Sequence, residues 1–177
     1  MRAVVVRSFG EPVAVIDMPA HEPGPGQVRI RVAAAAVNPV DAATWAGLMG
    51  QARPGVIGPR EYTGLGWDLA GTVVAVGSDG TGITPGDAVI GLRDRLDGPA
   101  GTFADEVVLD AGDVAPAPSG VDPVPASTIP LNGLTALQAL DVLAAAGLRA
   151  GHTILVTGRP AAWEGSASNS PRCAGCG

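Results

Sequence analysis

Six short apolar, mostly β-branched runs, separated by glycine- and proline-rich turns, fill the first 109 residues, and this spacing constrains the fold more than any other feature. Residues 2–7 form one run and Val13-Ala14-Val15-Ile16 the next, with Gly10-Glu11-Pro12 between them, which predicts a hairpin. Glu22-Pro23-Gly24-Pro25-Gly26 is a stiff turn into a third run, where Val28, Ile30 and Val32 alternate with Arg29 and Arg31. That is the period of a half-buried strand. A short helix is expected after Asn38-Pro39, with Pro39 in its first turn, and a looser loop from Gly47 to Gly66. Asp68 to Gly77 is a strand buried on both faces or nearly so. Pro85-Gly86-Asp87 fits a type II turn, and Ala88–Leu92 and Phe103–Leu109 complete the six. With 26 glycines and 16 prolines in 177 residues, strands joined by tight turns are favoured over a helical bundle. The expected fold is mainly β with some α, a partly open β-barrel.

The texture changes at residue 123. Pro123 to Gly147 carries Leu134, Leu137, Leu140, Val142 and Leu143 near a helical repeat, with Gly147 as C-cap. Thr153-Ile154-Leu155-Val156-Thr157-Gly158 follows as an apolar strand ending in glycine. A helix, a turn and such a strand are how a Rossmann-type unit starts. The expected organisation is therefore 1–122 as the barrel, 123–158 as the start of a cofactor-binding domain, and 159–177 as an aberrant, disordered tail.

A formal charge of -6 argues against a nucleic-acid partner and against anionic membrane surfaces. No segment approaches the ~20 apolar residues of a membrane span. Arg7 interrupts the N-terminal apolar run too early for a signal peptide. The expected location is the cytoplasm. The two cysteines, Cys173 and Cys176, cannot build a disulfide framework.

Five motifs in register carry a family resemblance: Pro23-Gly24-Pro25-Gly26-Gln27-Val28, Asn38-Pro39-Val40-Asp41, Gly66-Trp67-Asp68-Leu69-Ala70-Gly71, Pro85-Gly86-Asp87 and Leu131-Asn132-Gly133-Leu134-Thr135-Ala136. Over residues 1 to 158 the chain resembles the medium-chain dehydrogenase/reductases, and within them the quinone-oxidoreductase (zeta-crystallin-like) branch. The resemblance implies a GroES-like catalytic barrel followed by a Rossmann domain, with NADPH or NADH and a quinone or enone meeting between them. It implies hydride transfer, and a homodimer for the full-length parent. Zinc-dependent relatives place a cysteine where Asn38 stands and a His-Glu pair where Trp67-Asp68 stands. Only Asp68 here could ligate a metal, so no metal site is expected.

By the same resemblance, Asn38 and Asp41 are the candidate catalytic residues. Asn38, Thr135 and Gly158 are the candidate cofactor contacts, and Trp67 the candidate substrate wall. Each has a plainer reading. Asn38 is a good N-cap for the helix after it, Asp41 a solvated or structurally paired carboxylate, and Trp67 a core residue. Where many quinone oxidoreductases carry a tyrosine after the Asn-Pro-x-Asp motif, this chain has Ala42, Ala43 and Thr44, which leaves the proton donor open.

After Gly158 the family supplies a glycine-rich turn whose N–H groups hold the pyrophosphate. Here Arg159-Pro160-Ala161-Ala162-Trp163-Glu164 stands instead, and Pro160 and Trp163 suit neither a tight turn nor a close phosphate. Re-read one frame over with GC-rich third bases, Ala161 to Gly177 becomes G-G-V-G-R-F-G-V-Q-L-A-A-L-R-G-L-R, a dinucleotide turn and an amphipathic helix. The expectation is a single-base deletion after codon 158. The chain would then bind no cofactor and turn nothing over. Two other function classes stand beside the reductase. One is a non-catalytic barrel fragment. The other is a redox or metal module on Cys173-Ala174-Gly175-Cys176, which lacks two further ligands.

Overall fold

The computed structural model describes residues 1–52, 61–79, 82–95 and 100–156. It divides into two compact units, Met1–Thr128 and Ile129–Gly177.

In the first unit, β1 (Arg2–Val6) and β2 (Ala14–Asp17) form the expected hairpin, in register from Arg2↔Asp17 to Val5↔Ala14. β3 (Gln27–Ala34) is followed by α1 (Pro39–Trp45), α2 (Leu48–Ala52) and the two-residue β4 (Thr63–Gly64). β5 (Asp68–Val76), β6 (Ala88–Leu92), β7 (Glu106–Asp110) and β8 (Val114–Pro116) follow, with α3 (Pro123–Ala126) closing the unit. Two sheets result, ordered β2-β1-β4 and β7-β3-β5-β6-β8. They remain open sheets, in keeping with the partly open barrel expected.

Alternation builds the core. On β3, Val28 and Ile30 point inward and meet Leu109 and Val107 of β7 on one side, and Val76 and Val73 of β5 on the other. Leu69 and Val89 complete this cluster, and both are buried. A smaller cluster of Ala3, Val5, Met18 and Ala100 sits under the first sheet. The turn before β6 has the hydrogen bond of its predicted type, Asp87 N–H to Thr84 O at 3.1 Å, with Gly86 at φ 101°.

Five details differ from the sequence reading. The Gly47–Gly66 stretch holds α2 and β4 rather than loop alone. β7 begins at Glu106, because the segment before it is shared between the sheets: Val4 N–H bonds Phe103 O and Asp105 N–H bonds Arg2 O in the first, while Asp105 O accepts Val32 N–H of β3 in the second. β8 has too few residues to show a period.

The helix expected over Pro123–Gly147 is two, α3 and α4 (Ile129–Ala145), with Ser127 and Thr128 between. Pro130 has no N–H, and its ring would collide with the Ala126 carbonyl in a continuous helix. Ser127 and Thr128 hydroxyls donate to the Val124 and Pro125 carbonyls, closing the first helix.

In the second unit, α4 ends as predicted at Gly147. Leu148 N–H bonds Leu143 O and Gly147 N–H bonds Ala144 O, the paired bonds of a Schellman cap. Residues 153–156 form no strand and Leu155 is 83% exposed. A strand exists only through a ladder partner, and none stands beside them among the described residues.

Candidate functional site

The start of α1, the turn before β5 and the first residue of β5 meet in a buried polar cluster. Pro39 at the first helical position needs no hydrogen-bond acceptor, and Asn38 before it has extended N-cap dihedrals. Asn38 and Asp41 form a capping-box arrangement, and its closed bond is Asn38 N–H to Asp41 Oδ2 at 2.7 Å. The other Asp41 oxygen accepts Gly66 N–H at 3.1 Å, so one carboxyl ties helix to turn. Gly66, at φ 97°, is left-handed, and a Cβ there would lie 2.4 Å from Thr102 Oγ1 and 2.5 Å from Phe103 N.

Asp68 is the third member, with 0% exposure. Its Oδ1 accepts Asn38 Nδ2 at 3.2 Å and Ala36 N–H at 3.3 Å, and its main-chain oxygen accepts the Thr102 hydroxyl at 2.9 Å. Oδ2 is buried without a hydrogen-bond partner. Burial pushes this carboxyl from 3.8 up to about 6, opposed by the bonds from Asn38 and Ala36 and helped by the nearby Asp41 charge. Burial also raises Asp41, against the Asn38 and Gly66 N–H groups that hold it down.

The fold thus brings Asn38 and Asp41 together, both 4% exposed, and adds Asp68 to them. Asp41 is structurally paired rather than solvated. Trp67 precedes Asp68 and is half-buried; its indole Nε1 is buried with no partner. Thr135 is an exposed residue of α4, in the second unit. Gly158, Pro160, Trp163, Cys173 and Cys176 lie outside the described residues. Asp68 carries more of the cluster than its sequence context announced. The signal was there in the Gly66-Trp67-Asp68 motif, but it pointed only to a metal-ligand position.

Among the described residues no three His, Cys, Asp or Glu side chains gather as a metal-ligand set. The Asn38 amide nitrogen carries two hydrogens, so donating one to Asp68 leaves it able to donate to a further acceptor. A cavity of about 370 Å³ lies elsewhere, beside Met1, His21, Arg29, Arg93 and Glu106. Its Arg29 is already paired with Glu22 at 2.6 Å and Glu106 at 3.4 Å, so it offers no free cation from that residue.

Comparison with known proteins places this geometry. Residues 24–119 match the model of the alcohol dehydrogenase GroES-like domain. A chloroplast envelope quinone oxidoreductase homolog of Arabidopsis thaliana is 33% identical over 144 residues, 79% of this chain and 42% of that protein. An alcohol dehydrogenase superfamily protein of Novosphingobium aromaticivorans superposes with TM-score 0.81 at 34% identity, over 94% of this chain and 48% of that one. The mycobacterial Rv1454c, solved in complex with NADPH, superposes with TM-score 0.69 at 27% identity, over 85% and 43%. The chain spans less than half the length of each. It belongs to the alcohol dehydrogenase GroES-like domain family, among the quinone-oxidoreductase-like medium-chain dehydrogenase/reductases, a family of oxidoreductases.

Proposed function

We propose that this chain is the barrel portion of a zinc-independent, NAD(P)H-dependent reductase of quinones or activated alkenes, and that by itself it is inactive. One observation carries the zinc-independent reading. Trp67 has no lone pair to give a metal, and among the described residues no three His, Cys, Asp or Glu side chains gather around Asp68 as a ligand set. The nicotinamide would supply hydride in the full-length enzyme, while the protein orients and dries the site. There Asn38 and Thr135 would face the nicotinamide, Asp41 would hold Asn38, Trp67 would wall the substrate, and Gly158 would open the phosphate turn. The barrel would be 1–122 and the cofactor domain would begin at 123. The full-length enzyme would be a cytoplasmic homodimer, acting on small molecules and not on nucleic acid or membrane.

Inactivity follows from residues 159–177, which we read as a shifted frame. The test is a fluorescence titration with NADPH. This chain is expected to show no binding at millimolar cofactor, and a chain with one G restored after codon 158 to bind it. Binding by this chain, or none by the restored one, overturns the reading. Zinc analysis of the restored chain should find no stoichiometric metal. The alternative, a non-catalytic GroES-like barrel fragment with no enzymatic activity, predicts an intact genomic frame with no family-like continuation beyond codon 158.

A further inference from the structure

We propose that Asp68 is a positioning residue, one that holds the Asn38 amide in a single orientation from the sheet side while Asp41 holds the same residue's backbone from the helix side. Its functional weight rests on the reading that Asn38 faces the nicotinamide in the full-length enzyme; the positioning itself does not.

The two ends of an amide have nearly the same shape and differ in hydrogen bonding: the nitrogen only donates and the oxygen only accepts. Which way Asn38 points is therefore decided by its neighbours. Asp68 Oδ1 is an acceptor 3.2 Å from Nδ2, and it takes Ala36 N–H as well, so it fixes both the amide and the backbone two residues before it. The Asn38 oxygen is thereby turned towards the first turn of α1. Asp68 is itself well anchored. It is the first residue of β5, pairs with Leu92 of β6, and its main-chain oxygen is held by Thr102. All three side chains are at most 4% exposed, so water does not compete for these bonds.

Asp68 is not needed there for packing alone. An apolar residue would fill the space without leaving a buried Oδ2 unpartnered. Keeping a carboxyl in such a place is costly, and the return is a strong acceptor aimed at Asn38. Burial raises the Asp68 carboxyl to about 6, helped to a lesser degree by the charge of Asp41, the ionisable group facing it among the described residues. The carboxyl that grips Asn38 therefore changes protonation in the near-neutral range, and the grip should change with it.

The experiment uses the 177-residue chain labelled with 15N and 13C, followed from about pH 4 to about pH 8. In the wild type, the Asn38 Nδ2 protons should shift with the same midpoint as the Asp68 side-chain carbon. In Asp68→Asn the amide stays ordered but that midpoint disappears. In Asp68→Ala the two Nδ2 protons should move towards the values of an exposed amide and exchange with solvent at least about tenfold faster, having lost a buried hydrogen bond. A wild-type Asn38 amide that ignores the Asp68 titration, or one that still titrates in Asp68→Asn, overturns the proposal. No cofactor enters this measurement. Failed NADPH binding by the frame-restored chain would sink the functional reading and leave the positioning standing; a silent Asn38 amide would do the reverse.

Discussion

Protons stabilise this fold at two buried residues. Asp41 and Asp68 both bind a proton more tightly when folded than the ordinary carboxyl at 3.8. A raised acid contributes its stability fully below its unfolded value, and loses it as pH rises through the folded one. For Asp68 the window runs from about pH 4 to about pH 6, and the contribution reaches up to about 3 kcal/mol. Urea unfolding across that window should show the midpoint falling as pH rises, and Asp68→Asn should flatten most of the slope. A wild-type midpoint that climbs steadily to pH 7 would contradict this. Gly66 gives a second residue-scale prediction. Gly66→Ala adds an unfavourable φ and a Cβ within 2.6 Å of Thr102 and Phe103, so it should cost more than about 3 kcal/mol or prevent folding. Gly86→Ala, with φ 101° but open space around it, should cost only about 1 kcal/mol. Thermal melts of the pair would separate conformational strain from collision, and equal losses would refute the distinction.

Among the elements, β3 lies inside the five-stranded sheet, paired with β7 on one side and the central β5 on the other. Ile30 is fully buried at its middle and faces Val73 and Val107, so Ile30→Ala should cost about 2–5 kcal/mol, measured by denaturant unfolding. Val15→Ala on β2, 67% exposed, should change stability by less than about 0.5 kcal/mol. This contrast shows what the sequence made legible. Val28, Ile30 and Val32 announced their strand by alternation, and Pro85-Gly86 announced its turn by φ preference. Other features had no such local cause. α3 and α4 separate at Pro130, although the leucine spacing suggested one helix. Phe103–Asp105 look like the start of β7 but are shared, with Phe103 O and Asp105 N–H bonded to β1 and Asp105 O to β3. The site divides the same way. Asn38 and Asp41 lie three residues apart and their link could be foreseen. Asp68, thirty residues from Asn38, joins them only through the tertiary fold.

At the scale of the whole molecule, the two units differ in how well they satisfy their own surfaces. Met1–Thr128 has two buried clusters and paired sheets. From residue 129 on, Ala136 is the single buried hydrophobic residue among those described, while Leu137, Val142 and Leu155 are 54%, 68% and 83% exposed. Apolar surface of that kind, with an unpaired β-prone run at 153–156, favours self-association. Removing it should help, and the cut site matters. Ala126 and Ser127 are 0% and 2% exposed, so a chain ending at Pro123 or before would strip buried groups from the first unit. A chain of residues 1–128 should therefore stay monomeric in light scattering at concentrations where the full chain aggregates. It should also melt several degrees above a chain of residues 1–122, since losing even ~1 kcal/mol shifts a domain of this size by roughly 3–6 °C. If residues 1–122 melt as high as 1–128, the short helix α3 is an ornament of the first unit. If 1–128 aggregates as readily as the full chain, the liability lies in the barrel and not in the apolar segment beyond it.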